Sequence, residues 1–183
     1  MTVFGVLRAI DATELELMRE WRNAPAVREN MYTRHEISQE EHLNWWANTE
    51  QRQDQQYFMY EFNGVPAGIV GFTQIDMASA NATWAFYASP QAPKGTGSRM
   101  EYLALEYAFT ALKLNKLCCE VLAFNEAVIK LHKKFAFVVE GVLREQHRVA
   151  ATFVDVYRLG LLAREWADQR PLMAEKLEKL TRG

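Results

Sequence analysis

Cysteine is nearly absent from this chain: Cys118 and Cys119 are the only two, and they are neighbours. On a strand, adjacent side chains point to opposite faces, so the pair can neither staple the fold as a disulfide nor supply a thiolate-based zinc site. The four histidines, His35, His42, His132 and His147, lack metal-ligand spacing too, and no metal is expected. Long apolar runs are also missing. Met1 to Ile10 is mostly apolar, but it has no basic leader or small-residue cleavage site, and Asp11 interrupts it far short of a membrane span. A cytoplasmic protein with no membrane partner is expected. A basic block is lacking as well: 21 Lys and Arg stand against 23 Asp and Glu, a formal charge of −2. Binding to nucleic acid needs clustered cations, so it is not expected here.

What the chain does have is length for one ordinary domain, 183 residues with no repeat or linker, and a surplus of aromatics: five Trp, seven Tyr and ten Phe. A single domain over 1–183 is expected. Trp21, Trp45 and Trp46 crowd into the first quarter, with Met31 and Tyr32 between them, and core and lid packing is the simplest reading of that group.

The periodicity predicts a strand over Val3 to Ile10, then a helix capped by Asp11 with Leu15, Met18 and Trp21 on one face, ended by Asn23-Ala24-Pro25. Ser38-Gln39-Glu40-Glu41 is a capping-box pattern and opens a second helix through Leu43 and Trp46. Tyr57 to Phe62 and Val65 to Asp76 read as two strands joined by a tight Asn63-Gly64 turn, and Ala82 to Ala88 as a third. A loop leads to a long helix from Ser98 to Leu114. Leu117 to Phe124 is a strand apolar on both faces, as in a buried central position. A short helix from Glu126 to Lys134, strands near Phe137 to Val142 and Thr152 to Leu162, and a charged helix from Arg164 interrupted by Pro171 complete the order. That tail reads as a solvated helix face. A mixed sheet with helices on both faces buries these elements economically, an α/β (α+β) fold.

The unit from Ala82 to Phe137 is the most informative: strand, Lys94-Gly95-Thr96-Gly97 loop, long helix, buried strand, Asn125, short helix. Glycines at a helix entrance let free backbone N–H groups converge on an anion, and the helix dipole favours negative charge there. No Gly-Lys-Ser/Thr follows, and Met100 stands where a dinucleotide fingerprint has its third glycine, so neither of those phosphate motifs applies. The order of pieces, together with Asn125-Glu-Ala-Val-Ile-Lys-Leu-His-Lys-Lys-Phe-Ala-Phe137, resembles the GCN5-related N-acetyltransferase (GNAT) superfamily. Ala92 stands where that family has a glutamine or arginine, His132 replaces its tyrosine, and Ala136 replaces its glycine. Trp21-Arg22-Asn23-Ala24-Pro25, Met31-Tyr32, Ile37-Ser38 through His42-Leu43, and Leu112 through Gly141 are similar to the acetyltransferases of pseudaminic acid biosynthesis.

The resemblance implies a central mixed, mostly antiparallel sheet and acetyl-CoA as co-substrate, with the backbone of Lys94, Gly95, Thr96, Gly97 and Ser98 on its pyrophosphate and Asn125 on its pantetheine arm. Lys130 and Lys133 are further phosphate partners. It also implies transfer to the 4-amino group of a UDP-linked 4-amino-4,6-dideoxy-β-L-AltNAc sugar, with Arg22, His42, Thr73, Gln74 and Tyr87 facing that acceptor, in a monomer or homodimer. The chemistry agrees: a guanidinium fork suits a diphosphate, and flat rings suit a base or sugar.

Acyl transfer needs a base for the amine, donors for the oxyanion and an acid for the departing thiolate. Glu120 is the one ionised side chain on the apolar run Leu117 to Phe124, where desolvation would raise its pKa, and the family carries a glutamate there, so it is the expected base. His132 occupies the position of the superfamily's acid, although its neighbours Lys130, Lys133 and Lys134 disfavour an imidazolium; Tyr87 or Tyr157 is the alternative. Backbone N–H groups of the Ala82 to Ala88 strand are the expected oxyanion donors. With no activated nucleophile, direct transfer in a ternary complex is expected. A protein N-terminal or ribosomal-protein acetyltransferase, and a CoA- or nucleotide-binding module without catalysis, are the competing readings.

Overall fold

A computed structural model describes residues 3–182, with side chains through residue 179; Met1, Thr2 and Gly183, the ends of the expected domain, lie outside the described residues. Strand β1 (Val6–Arg8) is shorter than its apolar run suggests. Asp11 does cap the next element, accepting the Thr13 N–H while Glu14 accepts the Asp11 N–H, but that element is a 3-10 turn that runs on into α1 (Leu15–Asn23). Pro25 then starts a short helix, α2 (Pro25–Arg28), which the sequence pattern did not reveal. Helix α3 (Gln39–Glu50) begins after Ser38, whose hydroxyl accepts the Glu41 N–H. The box is half built, because the Glu41 carboxylate turns to His35 instead.

Strands β2 (Gln56–Phe62) and β3 (Val65–Asp76) form the expected hairpin, with Asn63 and Gly64 both at positive φ, as a two-residue turn requires. Strand β4 (Asn81–Ala88) pairs with β3. Helix α4 (Thr96–Glu106) ends in a π turn over Tyr107–Ala111, and β5 (Lys116–Leu122) and α5 (Glu126–Lys134) come next. Strands β6 (Val138–Val149) and β7 (Thr152–Leu162) make a longer hairpin than expected. Helix α6 (Ala163–Arg182) runs straight through Pro171, and it is no solvated arm: Trp166, Met173 and Leu177 are buried in the core, and Trp166 donates to Glu106 at 3.0 Å.

The seven strands order as β1-β2-β3-β4-β5-β7-β6, antiparallel everywhere except between β4 and β5. Two cores flank the sheet. Trp84, Phe72, Leu117, Leu105 and Phe135 pack between it and α4, α5 and α6, while Met18, Trp21, Met59 and Ile69 pack α1 against β2 and β3 on the opposite face. The expected mixed sheet with helices on both faces is therefore observed.

Candidate active site

Parallel pairing between β4 and β5 spans Asn81–Thr83 against Lys116–Cys118 and then stops. Both strands continue, so they part in mid-sheet, and the β5-facing backbone groups of residues 84–88 have no ladder partner. A cleft of about 340 Å³ occupies the opening, lined among others by Trp84, Phe86, Glu120, Asn125 and His132. A second cavity of about 300 Å³ lies between β2–β4 and the helices of the other face, lined by Arg22, His42, Trp45, Tyr57 and Gly71. Met31, Ala85, Phe86 and Tyr87 line both. Two ligands entering from opposite sides of the sheet would thus meet along Ala85–Tyr87.

In the loop after β4, Gly95 sits at φ +87 as the N-cap of α4, a conformation that L side chains rarely adopt. The Ala92 position offers no loop anchor. Arg99, 6% exposed, supplies one from inside the helix: its guanidinium donates to the Lys94 carbonyl at 3.1 Å and lies 4.4 Å over the Phe62 ring. Gly97 lets α4 close on α5 and β4, since a Cβ there would meet Leu131 at 3.3 Å and Phe86 at 3.7 Å. The first-turn N–H groups of an α-helix have no i−4 partner within the helix; here that of Thr96 is taken by the Pro93 carbonyl at 3.2 Å. Asn125 makes no capping bond with its side chain, which leaves its amide for the cleft it lines. Lys130 is exposed and paired with Glu126 at 3.0 Å, and Lys133 is exposed; neither is part of the cleft wall.

His132 is 2% exposed, and the group beside it is not a lysine, since Lys133 and Lys134 point outward. Its Nδ1 lies 2.8 Å from Oε1 of Glu101, a fully buried carboxyl on α4 whose Oε2 has no partner. Burial pushes the Glu101 carboxyl up, and the facing imidazole only partly offsets this. Glu101 escaped the sequence reading, although it stands three, four and seven residues before the buried Ala104, Leu105 and Ala108.

Glu120 is a correction. It is exposed, not desolvated, because α1 and α3 cover the β1–β4 half of their face and leave β5 open at this position. Its carboxylate accepts the Tyr32 hydroxyl at 2.9 Å and pairs with Arg158, its cross-strand neighbour, at 3.2 Å. The argument for a buried base therefore fails. Cys118 and Cys119 are buried on opposite faces, and burial raises both thiols, so neither is an activated nucleophile.

In the second cavity Arg22 is partly buried, and its Nη1 has no hydrogen-bond partner; Nη2 donates to the Thr33 carbonyl at 3.3 Å. Among the described residues no carboxylate pairs with it, and burial pulls the guanidinium down from its ordinary value. Asn23 holds the facing loop, donating to the Ile37 carbonyl and accepting its N–H, both at 2.8 Å. His42 is 4% exposed and stacks on Trp45, with Nε2 unpartnered. Burial, with Arg19 nearby, lowers its pKa, so the ring is neutral at pH 7. Gly71 clears the floor, since a Cβ would strike the Tyr57 ring at 2.4 Å. Tyr87 stands between the cavities, its hydroxyl 3.5 Å from the Met18 carbonyl, and burial pushes its phenol far up, which makes it a donor rather than a proton source.

Arg22, His42 and Tyr87 are thus brought together. Thr73 continues the row of Ile69 and Gly71 beyond the cavity wall, and Gln74 is exposed at a register shift, accepting from the Thr83 hydroxyl. Tyr157 pairs across β5–β7, outside both cavities. Among the described residues no three metal-ligating side chains cluster, and no helix is long and apolar enough to cross a membrane.

Comparison with known proteins places these features. Residues 6–138 match the acetyltransferase (GNAT) domain model. The chain is 30% identical over 130 residues to acetyltransferase PseH of Campylobacter jejuni, covering 71% of this chain and 80% of that one. It is 28% identical over 130 residues to the spermidine N(1)-acetyltransferase of Escherichia coli K12, covering 70% of each. Among solved structures, spermidine N-acetyltransferase from Vibrio cholerae in complex with CoA and spermine superposes with a TM-score of 0.84 at 22% identity, over 91% of this chain and 99% of that one, a likeness of fold.

Proposed function

We propose a specific reaction on the premise that the chain belongs to the GNAT acetyltransferase family and is an acetyl-CoA-dependent N-acetyltransferase: its acceptor is the 4-amino group of a UDP-linked 4-amino-4,6-dideoxy-β-L-AltNAc sugar. Acetyl-CoA fills the cleft between β4 and β5, with the backbone of residues 94–98 on its pyrophosphate and Asn125 on the pantetheine arm. The amino sugar fills the opposite cavity. The amine and the thioester meet along Ala85–Tyr87, where the unpaired backbone N–H groups of β4 receive the oxyanion. Buried thiols and the absence of an activated nucleophile support direct transfer within a ternary complex.

One observation carries the choice of acceptor: Arg22 places a partly buried guanidinium with no carboxylate partner in that cavity. An uncompensated charge out of water is costly, and a diphosphate would satisfy both its charge and its fork. A polyamine would do the reverse. Two like charges about 4 Å apart cost about 4 kcal/mol at an effective dielectric near 20, more than most single contacts return. Glu41 is the one carboxylate among the described lining residues, and it is exposed and engaged by His35. His42 and Trp45 supply flat surfaces for the base. Glu120, at the solvent-open side of the cleft, takes the amine proton through water.

The test is acetyl-CoA consumption with the UDP-4-amino sugar, spermidine and N-terminal peptide amines offered in parallel. The sugar is expected to be turned over with a kcat/KM at least 100-fold above the others. Preferred turnover of spermidine or peptide would overturn the acceptor assignment, and a trapped acetyl-enzyme would overturn direct transfer.

A further inference from the structure

Resting on the acetyltransferase reading but not on the identity of the acceptor, the geometry points to Glu101 and His132 as one proton-holding unit that delivers a proton from His132 Nε2 to the departing CoA sulfur. His132 touches the cleft, and Glu101 acts through it as a positioning residue.

Two observations carry this. First, the pair is closed off from solvent and the contact is short, 2.8 Å between Nδ1 and Oε1. Second, Oε2 of Glu101 has no donor, so nothing else compensates a bare carboxylate there. Burial raises that carboxyl, which favours keeping a proton within the pair. In the proposed unit, which has no bare carboxylate, one proton is shared between Nδ1 and Oε1, either as imidazolium with carboxylate or as imidazole with carboxylic acid. In both forms Nε2 carries hydrogen, and it is the ring nitrogen turned away from Glu101. The facing groups do not upset this balance: β4 contributes the rings of Trp84 and Phe86, Phe137 adds a third, and β5 brings Cys119, whose thiol burial keeps protonated.

The step then balances. The amine lone pair forms the N–C bond, the C–S bond breaks with its electrons left on sulfur, and sulfur takes the Nε2 proton. The pair is left as neutral imidazole, its Nδ1–H donating to the Glu101 carboxylate. The proton lost by the amine passes through water to Glu120, and the pair is reloaded from solvent after CoA departs. A tyrosine holds its one proton without help. An imidazole at this position relies on the Glu101 carboxyl to hold the additional proton of the pair.

The test combines imidazole ¹⁵N NMR on the intact protein with kinetics of Glu101→Gln, His132→Gln and the double variant. Four histidines give a tractable spectrum, and His132 is identified by its loss in His132→Gln. The wild-type His132 ring is expected to carry hydrogen on Nε2 at pH 7.5, and Glu101→Gln to lose part or all of that Nε2 hydrogen at the same pH. In turnover, kcat is expected to fall with rising pH. Glu101→Gln moves that limb to lower pH and reduces kcat at pH 8 by about 10–100-fold, with KM for acetyl-CoA changed less than about twofold. The double variant is expected to be no slower than His132→Gln alone. A wild-type His132 without hydrogen on Nε2 at pH 7.5, or a folded Glu101→Gln with unchanged kcat and limb, would overturn the unit. If Glu101→Gln does not fold, the wild-type spectrum decides. The NMR arm uses no acceptor, so failure of the UDP-sugar assay leaves this result standing, and failure here leaves the sugar assignment intact.

Discussion

At the scale of single residues, charge without a partner is the most informative feature. Arg22 was legible in the sequence as a guanidinium at a helix end, where it could as well have met its own last carbonyls. Only the folded arrangement shows that Nη1 has no partner, because the loop over residues 31–37 that closes around it is held by Asn23. Arg22→Gln is therefore expected to raise KM for the nucleotide sugar by at least about 10-fold while leaving acetyl-CoA binding within twofold, measured by steady-state kinetics and calorimetry; if both ligands weaken equally, Arg22 is a packing residue. Glu120 illustrates the opposite failure. Its flanking residues are apolar on both faces, so the linear pattern suggests burial, but no helix covers that face of β5 at its position. Coverage by a distant element is not encoded in a strand's own alternation. Glu101 lies between these cases: its place on a buried helix face was visible from the spacing of Ala104, Leu105 and Ala108, yet its partner lies 31 residues away.

At the scale of elements, the strands and helices were legible where period and punctuation agreed. The Asn63-Gly64 hairpin and the capped start of α3 came out as expected, since both depend on neighbours in sequence. The parting of β4 from β5 was not legible, because each strand is an unexceptional apolar run and where their pairing stops is set between residues more than 30 positions apart in sequence. Gly95 and Gly97 at the head of α4 do separate work. Gly95 holds a left-handed conformation and Gly97 a close approach to Leu131 and Phe86. Gly95→Ala is expected to strain the loop and to raise the Kd for CoA by about 10-fold, with a stability loss of about 1 kcal/mol. Gly97→Ala, whose conformation is unstrained, is expected to cost less affinity, because the Leu131 methyl can yield by a few tenths of an ångström. Calorimetric titration of the two variants side by side separates backbone strain from packing, and equal losses would contradict the distinction.

At the scale of the whole molecule, near-neutral charge is compatible with the two phosphate-bearing ligands proposed, because backbone N–H groups and the partly buried Arg22 can bind them without a basic surface. The architecture adds a consequence. The sheet is two blocks, β1–β4 and β5–β7–β6, joined at the centre by three residue pairs, and the cleft proposed for CoA lies where they separate. A ligand in that cleft touches both blocks, so its binding energy opposes their separation as well as global unfolding. At a free CoA concentration 100 times its Kd, linkage gives about 2.7 kcal/mol, which for a chain of this size corresponds to a rise in Tm of roughly 5–10 °C. Global linkage alone would slow hydrogen exchange only for amides that open by complete unfolding. If the blocks also part locally, the amides of residues 84–88 and 119–122 exchange fastest within the sheet without ligand and gain the most protection when CoA is added, while those of the β2–β3 hairpin change little. Uniform protection across all strands would show instead that the three central pairs hold the blocks together as firmly as the antiparallel ladders do, and that the parting of β4 and β5 is a fixed feature of the resting fold.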